Sequence, residues 1–157
     1  MNEKLQQRKA KPNYQPPKEP PILTIKGNPI GSKQSLVCFQ GLPKAGKSLF
    51  ITSSIVSAFT NYDIFGMKIS LPDNKNKIAY FDTEGSEYDF YQIVNRLQYQ
   101  LGRNSLPENL SLYNCREDSP SEVIDLINTY LRENGEIGCL IIDGVLDLVN
   151  DLSLIHI

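Results

Sequence analysis

The chain has 157 residues, the size of one small domain on the usual scale of about 100–200 residues per domain. Apolar residues make up 40% of it and charged residues 22%, which is a globular composition. The net charge of −2 argues against general attraction to nucleic acid or anionic lipid, and three cysteines without a C-x-x-C pair exclude a disulfide scaffold or a cysteine-based zinc module. Without a membrane-length apolar run or a signal-like N-terminus, the sequence predicts a cytoplasmic protein with no membrane partner.

The first 21 residues differ in composition from the rest of the chain. They contain five of the ten prolines and carry five basic against two acidic residues. Proline removes backbone donors, and almost nothing in this stretch is apolar enough to be buried. We therefore predict that residues 1–21 are a disordered basic leader, a solvated tail or linker rather than a nucleic-acid-binding arm.

From Ile22 onward, apolar runs alternate with helical patterns. Strands are predicted at 22–25, 35–40, 77–82, 110–113 and 137–143, and a turn-rich stretch at 26–34. Helices are predicted at 46–60, 87–101 and 120–134, the last opened by Ser119-Pro120 with a glutamate three residues past the cap. This alternation indicates an α/β fold with a mostly parallel sheet flanked by helices. Cys38 and Cys139 fall in predicted buried strands, whereas Cys115 falls in a loop.

The stretch from Gly41 to Ser48, GLPKAGKS, fits the phosphate-binding pattern G-x-x-x-x-G-K-[ST] between a predicted strand and a helix. Its glycines let successive backbone N–H groups turn toward phosphate oxygens at a helix N-terminus. The Lys47 ammonium then faces the β- and γ-phosphates of ATP, and the Ser48 hydroxyl is a ligand for Mg²⁺. The candidate nucleotide-binding residues are Gly41, Lys44, Ala45, Gly46, Lys47, Ser48 and Leu49.

Carboxylates close two of the predicted strands. Asp143 ends the apolar run CLIID in a Walker B pattern, and its place at a strand C-terminus predicts a second Mg²⁺ ligand beside the phosphate loop. Asp82-Thr83-Glu84 follows the strand at 77–82. Hydrolysis needs a group that orients the attacking water, and we predict Glu84 for that role, with Asp82 in reserve.

These motifs, in this order, resemble the RecA-like ATPases. Within them the chain is similar to RepA-type hexameric helicases and to AAA-family proteins of Bacteroidetes mobile elements, in the segments GLPKAGKSLFI, IAYFDTEGSEYDF and LIIDGVLDLVND. The resemblance covers about residues 22–151, which it identifies as the N-terminal part of a RecA-like ATPase domain. It implies that Lys47 and Glu84 are catalytic and that Ser48 and Asp143 hold the metal, while Asp147 matches an acidic position of no assigned role.

The resemblance also implies a motor that binds ATP, Mg²⁺ and single-stranded DNA as a homo-hexamer in replication or mobilisation. Family members continue past the Walker B strand into a further strand, DNA-contacting loops and an interfacial arginine, none of which we find here. The last residues, 152–157 (LSLIHI), are unlike the family and are expected to be a non-native tail. We therefore expect the chain to be a C-terminally truncated fragment that does not hydrolyse ATP by itself.

Two other functions fit a phosphate-binding loop. A small-molecule kinase needs an arginine-rich clamp for its acceptor, and residues 61–77 contain no arginine. A regulatory or scaffold ATPase would bind ATP tightly and switch partners without turnover. The motor ATPase accounts for more of the motifs than either alternative.

Overall fold

The computed structural model of the chain describes residues 6, 8, 9, 12–15, 17–42 and 45–148, without the side chain of Asp147. The predicted leader is thus described only in part, and the predicted tail at 152–157 lies outside the described residues. The strands are β1 (Pro21–Ile25), β2 (Asn28–Ser32), β3 (Met67–Ile69), β4 (Lys77–Asp82), β5 (Leu110–Asn114) and β6 (Ile137–Asp143). The α-helices are α1 (Lys47–Ala58), α2 (Glu87–Leu101) and α3 (Pro120–Glu133), and short 3-10 turns span Asp73–Lys75 and Val145–Leu148.

Strands β4, β5 and β6 form a parallel sheet in the order β5-β4-β6. Successive side chains of a strand point to opposite faces, so an apolar run such as that of β4 is buried on both. Ile78 and Tyr80 pack with residues of α1 and α2, whereas Ala79 and Phe81 pack with residues of α3. The protein is therefore α/β, with helices on both faces of a parallel three-stranded sheet, and this confirms the coarse fold prediction.

Helix α3 begins where its predicted capping residues place it, and α2 begins with a capping pair of the same kind that was not predicted. Ser86 accepts a hydrogen bond from the Asp89 backbone N–H, and the Asp89 carboxylate accepts one from the Ser86 backbone N–H. Ser119 and Glu122 form the same reciprocal pair at α3. Each pair satisfies two backbone donors that the first helical turn leaves free, and this fixes the start of the helix.

A second, antiparallel sheet has the order β2-β1-β3. Strands β1 and β2 are joined by Lys26 and Gly27, whose φ angles of 49° and 75° are those of the tight hairpin turn that matches strand twist. The prediction of a turn-rich segment at 26–34 was therefore wrong in part, because five of these residues form β2. The three-residue strand β3 was not predicted, since it is too short to show a period.

The predicted strand at 35–40 is not formed, although all six residues are described. The backbone turns at Ser35, whose N–H donates to the Ser32 carbonyl (3.0 Å). Leu36 is 97% exposed, and the Phe39 ring packs edge-to-face on Phe50 of α1 at 4.8 Å between centroids. An apolar run becomes a strand only where another strand accepts its backbone hydrogen bonds, and no described strand pairs with this segment between β2 and α1.

The burial of the cysteines depends on which of the predicted strands form. Cys38, predicted to be buried, is exposed because its strand is absent. Cys115 lies in the loop after β5, as predicted, and is 2% exposed there, in the core beside α3. Cys139 is half-buried in β6, where desolvation raises the pKa of its thiol to about 11. Among the described helices, none combines the length and the apolar character needed to cross a membrane.

Candidate nucleotide site

The start of α1 differs from the starts of the other two helices. Gly46 precedes it with a φ of 85°, in the left-handed region that favours glycine, and no side chain caps the first turn. The backbone N–H groups of Lys47 and Ser48, in the first turn, therefore have neither an intrahelical partner nor a side-chain cap. Ala45 forms a turn just before, its N–H donating to the Leu42 carbonyl at 3.1 Å. Pro43 and Lys44 lie outside the described residues, so the predicted contribution of Lys44 stays a prediction.

The C-terminal ends of β4 and β6 bring two carboxylates to one edge of the sheet. Asp82 and Asp143 are register partners in the parallel ladder and are 2% and 8% exposed. Thr83 ties the two chain segments together beyond the strands. Its backbone N–H donates to the Asp143 carbonyl at 3.0 Å, and its hydroxyl lies 3.1 Å from that carbonyl and 2.9 Å from the Gly144 carbonyl.

The Asp143 carboxylate connects the sheet to α1. Its Oδ2 accepts a hydrogen bond from the Tyr80 hydroxyl at 3.0 Å and lies 3.4 Å from the Ser48 hydroxyl, a residue 95 positions away in the chain. Burial, together with the nearby Asp82 and Asp143 charges, raises the pKa of Tyr80, so its hydroxyl keeps its proton and remains a donor. Asp143 is thus fixed in place, facing the start of α1.

Asp82 has different hydrogen-bond partners from those of Asp143. Its Oδ1 accepts hydrogen bonds from the backbone N–H groups of Glu84 (3.0 Å) and Gly85 (2.7 Å), which folds the chain back over the carboxylate. A Cβ on residue 85 would overlap the Asp82 carboxylate, so the turn requires glycine there. Burial raises the pKa of Asp82 above its ordinary value. Its geometry is that of a residue holding the turn that presents Glu84.

Two adjoining cavities lie between the start of α1, the sheet edge and α2. The first has a volume of about 500 Å³ and is lined by Gly41, Gly46, Lys47, Ser48, Leu49, Glu84 and Arg96. The second has a volume of about 330 Å³ and is lined by Ser48, Asp82, Glu84, Gly85, Asp89, Gln92, Ile93, Arg96 and Asp143. The fold therefore brings three separate predicted motifs, at 41–49, 82–84 and 143, around one hollow.

Most of the residues predicted from the sequence line these cavities. Among the described candidates, Ala45 alone lines neither cavity, and it lies in the turn just before α1. The side chain of Asp147 is outside the described residues, although its backbone forms part of the 3-10 turn after β6.

Sequence reasoning missed three residues of the site, namely Tyr80, Thr83 and Arg96. Tyr80 belongs to no motif, and Thr83 lies within the motif at 82–84 without a predicted role, because the partners of both are set by strand register. Arg96 had a weak signal: it lies seven residues after Asp89 and three after Ile93, so all three share the cavity-facing side of α2. An arginine at a helix position next to the buried side chains of that helix is the pattern that would have revealed it.

The described residues contain no group of three or more His, Cys, Asp and Glu side chains arranged to hold a metal ion. Ser48 and Asp143 nevertheless place a hydroxyl and a carboxylate 3.4 Å apart beside Lys47. Two oxygen ligands suit Mg²⁺, which keeps several waters and takes its remaining ligands from substrate phosphates. No protein-family model, curated protein or solved structure matches the chain.

Proposed function

We propose that this site binds ATP with Mg²⁺ and hydrolyses it, as the nucleotide-binding part of a RecA-like motor domain that acts on DNA. The observation that carries the proposal is the approach of Ser48 to Asp143, at 3.4 Å between their oxygens, beside two adjoining cavities of which Lys47 lines one and Glu84 lines both. These four residues come from three separate segments of the chain.

The start of α1 is suited to the phosphates. It lacks a side-chain cap, so its N–H groups and the positive end of the helix dipole are free for an anion. Lys47 adds a full positive charge and makes no ion pair with any described residue. In contrast, α2 and α3 use serine and an acidic residue to satisfy their own first turns.

Ser48 and Asp143 would hold the Mg²⁺, which supplies charge neutralisation on the phosphates when bound. The residues around them keep that pair in place. Tyr80 donates to the carboxylate oxygen that faces Ser48, and Thr83 secures the backbone of Asp143 from the neighbouring strand. A carboxylate held from two sides loses little freedom on binding a ligand.

Glu84 is the candidate for orienting the attacking water. It is exposed at the turn after β4 and lines both cavities, and the Asp82 carboxylate holds its backbone. The buried Asp82 accepts two backbone hydrogen bonds, which favours Glu84 over Asp82 as the group that contacts water. A carboxylate in this role aligns the water and accepts its proton.

The test is ATP binding and turnover by the protein that contains this sequence, with and without single-stranded DNA. We expect Glu84→Gln to bind ATP within about threefold of wild type and to lower turnover by at least about 100-fold. Glu87→Gln is the matched control, because Glu87 is a nearby exposed glutamate that lines neither cavity. DNA is expected to accelerate hydrolysis.

Three results would contradict parts of this proposal. Full turnover by Glu84→Gln would remove Glu84 from the chemistry. Hydrolysis that DNA does not change would contradict the motor function. Tight ATP binding with no turnover under any condition would instead support a regulatory ATPase.

A further inference from the structure

Arg96 of α2 occupies the boundary between the two cavities. It lines both of them, and among the described residues only Ser48 and Glu84 do the same. Lys47 lines the first cavity but not the second, whereas Asp82 and Asp143 line the second but not the first. The guanidinium therefore belongs to the part of the hollow where the phosphate-loop side meets the carboxylate side.

The guanidinium of Arg96 has no anionic partner among the described residues. It is half-buried, yet it forms neither an ion pair nor a hydrogen bond with them, whereas the more peripheral Lys77 pairs with Glu136 at 3.0 Å. The aspartates around it have other partners. Asp82 accepts from the turn at Glu84 and Gly85, and Asp143 accepts from the Tyr80 hydroxyl.

Asp89, on the same side of α2, is likewise engaged, because its carboxylate closes the cap with Ser86. A partly desolvated cation that nearby carboxylates leave unpaired favours an anion from outside the protein. The planar fork of an arginine matches two oxygens of a phosphate group, and such charge-assisted hydrogen bonds are among the stronger ones in proteins.

We infer that Arg96 binds the terminal phosphate of the nucleotide and makes the site prefer a nucleoside triphosphate to a diphosphate. This inference rests on the proposed function, in which Ser48 holds the Mg²⁺ on the phosphates and Glu84 orients the water that attacks the terminal phosphate. Arg96 is the cation that shares both cavities with those two residues, whereas Lys47 reaches only the first. On this inference Lys47 and the α1 N-terminus hold the first two phosphates, and the third lies at the boundary of the two cavities that Arg96 lines.

The experiment measures Kd for ADP and for a non-hydrolysable ATP analogue, both with Mg²⁺, on the full chain. We expect Arg96→Gln to weaken binding of the analogue by about ten- to a hundredfold and binding of ADP by less than about threefold. Arg96→Lys, which keeps the charge but loses the fork, is expected to fall between wild type and Arg96→Gln. Lys47→Ala is expected to weaken both ligands.

Arg103→Ala is the matched control, since Arg103 is an exposed arginine just after α2 that lines neither cavity. It should leave both Kd values unchanged. Thermal melting without nucleotide is compared among all variants, and Arg96→Lys provides the test if Arg96→Gln melts early.

Equal weakening of ADP and analogue by the Arg96 substitutions, or no weakening of either, would overturn the role of Arg96 while leaving the proposed function intact. A wild-type chain that binds neither nucleotide would overturn the proposed function itself.

Discussion

Two regions of the chain follow the sequence prediction to different degrees. In the parallel-sheet region, residues 77–143, the predicted strands and helices are found with bounds that agree within about one residue. In the approach to α1, residues 33–42, the predicted strand is absent and its apolar side chains are largely exposed. In the parallel-sheet region, the local sequence patterns coincide with neighbouring strands and with helices packed on both faces of the sheet. In the approach to α1, the apolar run is a local pattern that no described strand pairs with.

The largest effect that tests this contrast is truncation of a leucine in each region. Leu97 of α2 is fully buried, and Leu97→Ala removes methyl groups from a packed core, so we expect a loss of about 2–5 kcal/mol in the free energy of unfolding. Leu36 is 97% exposed, and Leu36→Ala is expected to change that free energy by less than about 0.5 kcal/mol. Urea denaturation of both variants measures the difference. A loss above about 2 kcal/mol for Leu36→Ala would mean that residues 35–40 are buried as the sequence predicts.

A smaller effect is expected from removing one hydroxyl in each region. Thr83→Val keeps the side-chain shape but removes the hydroxyl that lies against the Asp143 and Gly144 carbonyls, at an expected loss of about 1–2 kcal/mol. Ser35→Ala removes an exposed hydroxyl that accepts from the Ser32 N–H, and water replaces that bond at a loss below about 0.5 kcal/mol. Thermal unfolding ranks the two variants, and an equal loss would show that the Thr83 contacts add nothing to the sheet edge.

The smallest effect is on the pH dependence of stability in the parallel-sheet region. Burial raises the pKa of Asp82 in the folded protein. A raised pKa means that the folded state holds the proton more tightly than the unfolded state. The stability that this provides is complete below the unfolded pKa, near 4, and is lost as pH rises through the folded pKa.

Asp82→Asn keeps an oxygen to accept from Glu84 and Gly85 but cannot ionise. We therefore expect its stability relative to wild type to increase between about pH 4 and pH 7, as measured by urea denaturation across that range. Ser35→Ala provides a control without a titrating group. A constant difference between Asp82→Asn and wild type would show that the Asp82 carboxyl titrates alike in both states.

Much of the site followed from the sequence because its residues sit at the ends of regular elements. Asp143 and Glu84 were predicted from their places after apolar strands, and parallel strands end at a common edge. Tyr80 was not predicted because an aromatic residue in a buried strand usually indicates a core position. Its contact with Asp143 depends on which strands are neighbours in the sheet, and the order of strands along the chain does not determine which strands pair.

The sequence by itself determined where α3 begins, through its predicted capping pair, and that β4 is a buried strand, through its apolar run. These are local features, each decided by residues within one turn or one strand. The tertiary structure alone decided that Asp143 meets Tyr80 and Ser48. It alone also decided that, within the described part of the chain, residues 35–40 have no strand partner and Arg96 has no carboxylate partner. Each of these depends on contacts between segments distant in the chain, because backbone pairing and side-chain burial are properties of the packed molecule.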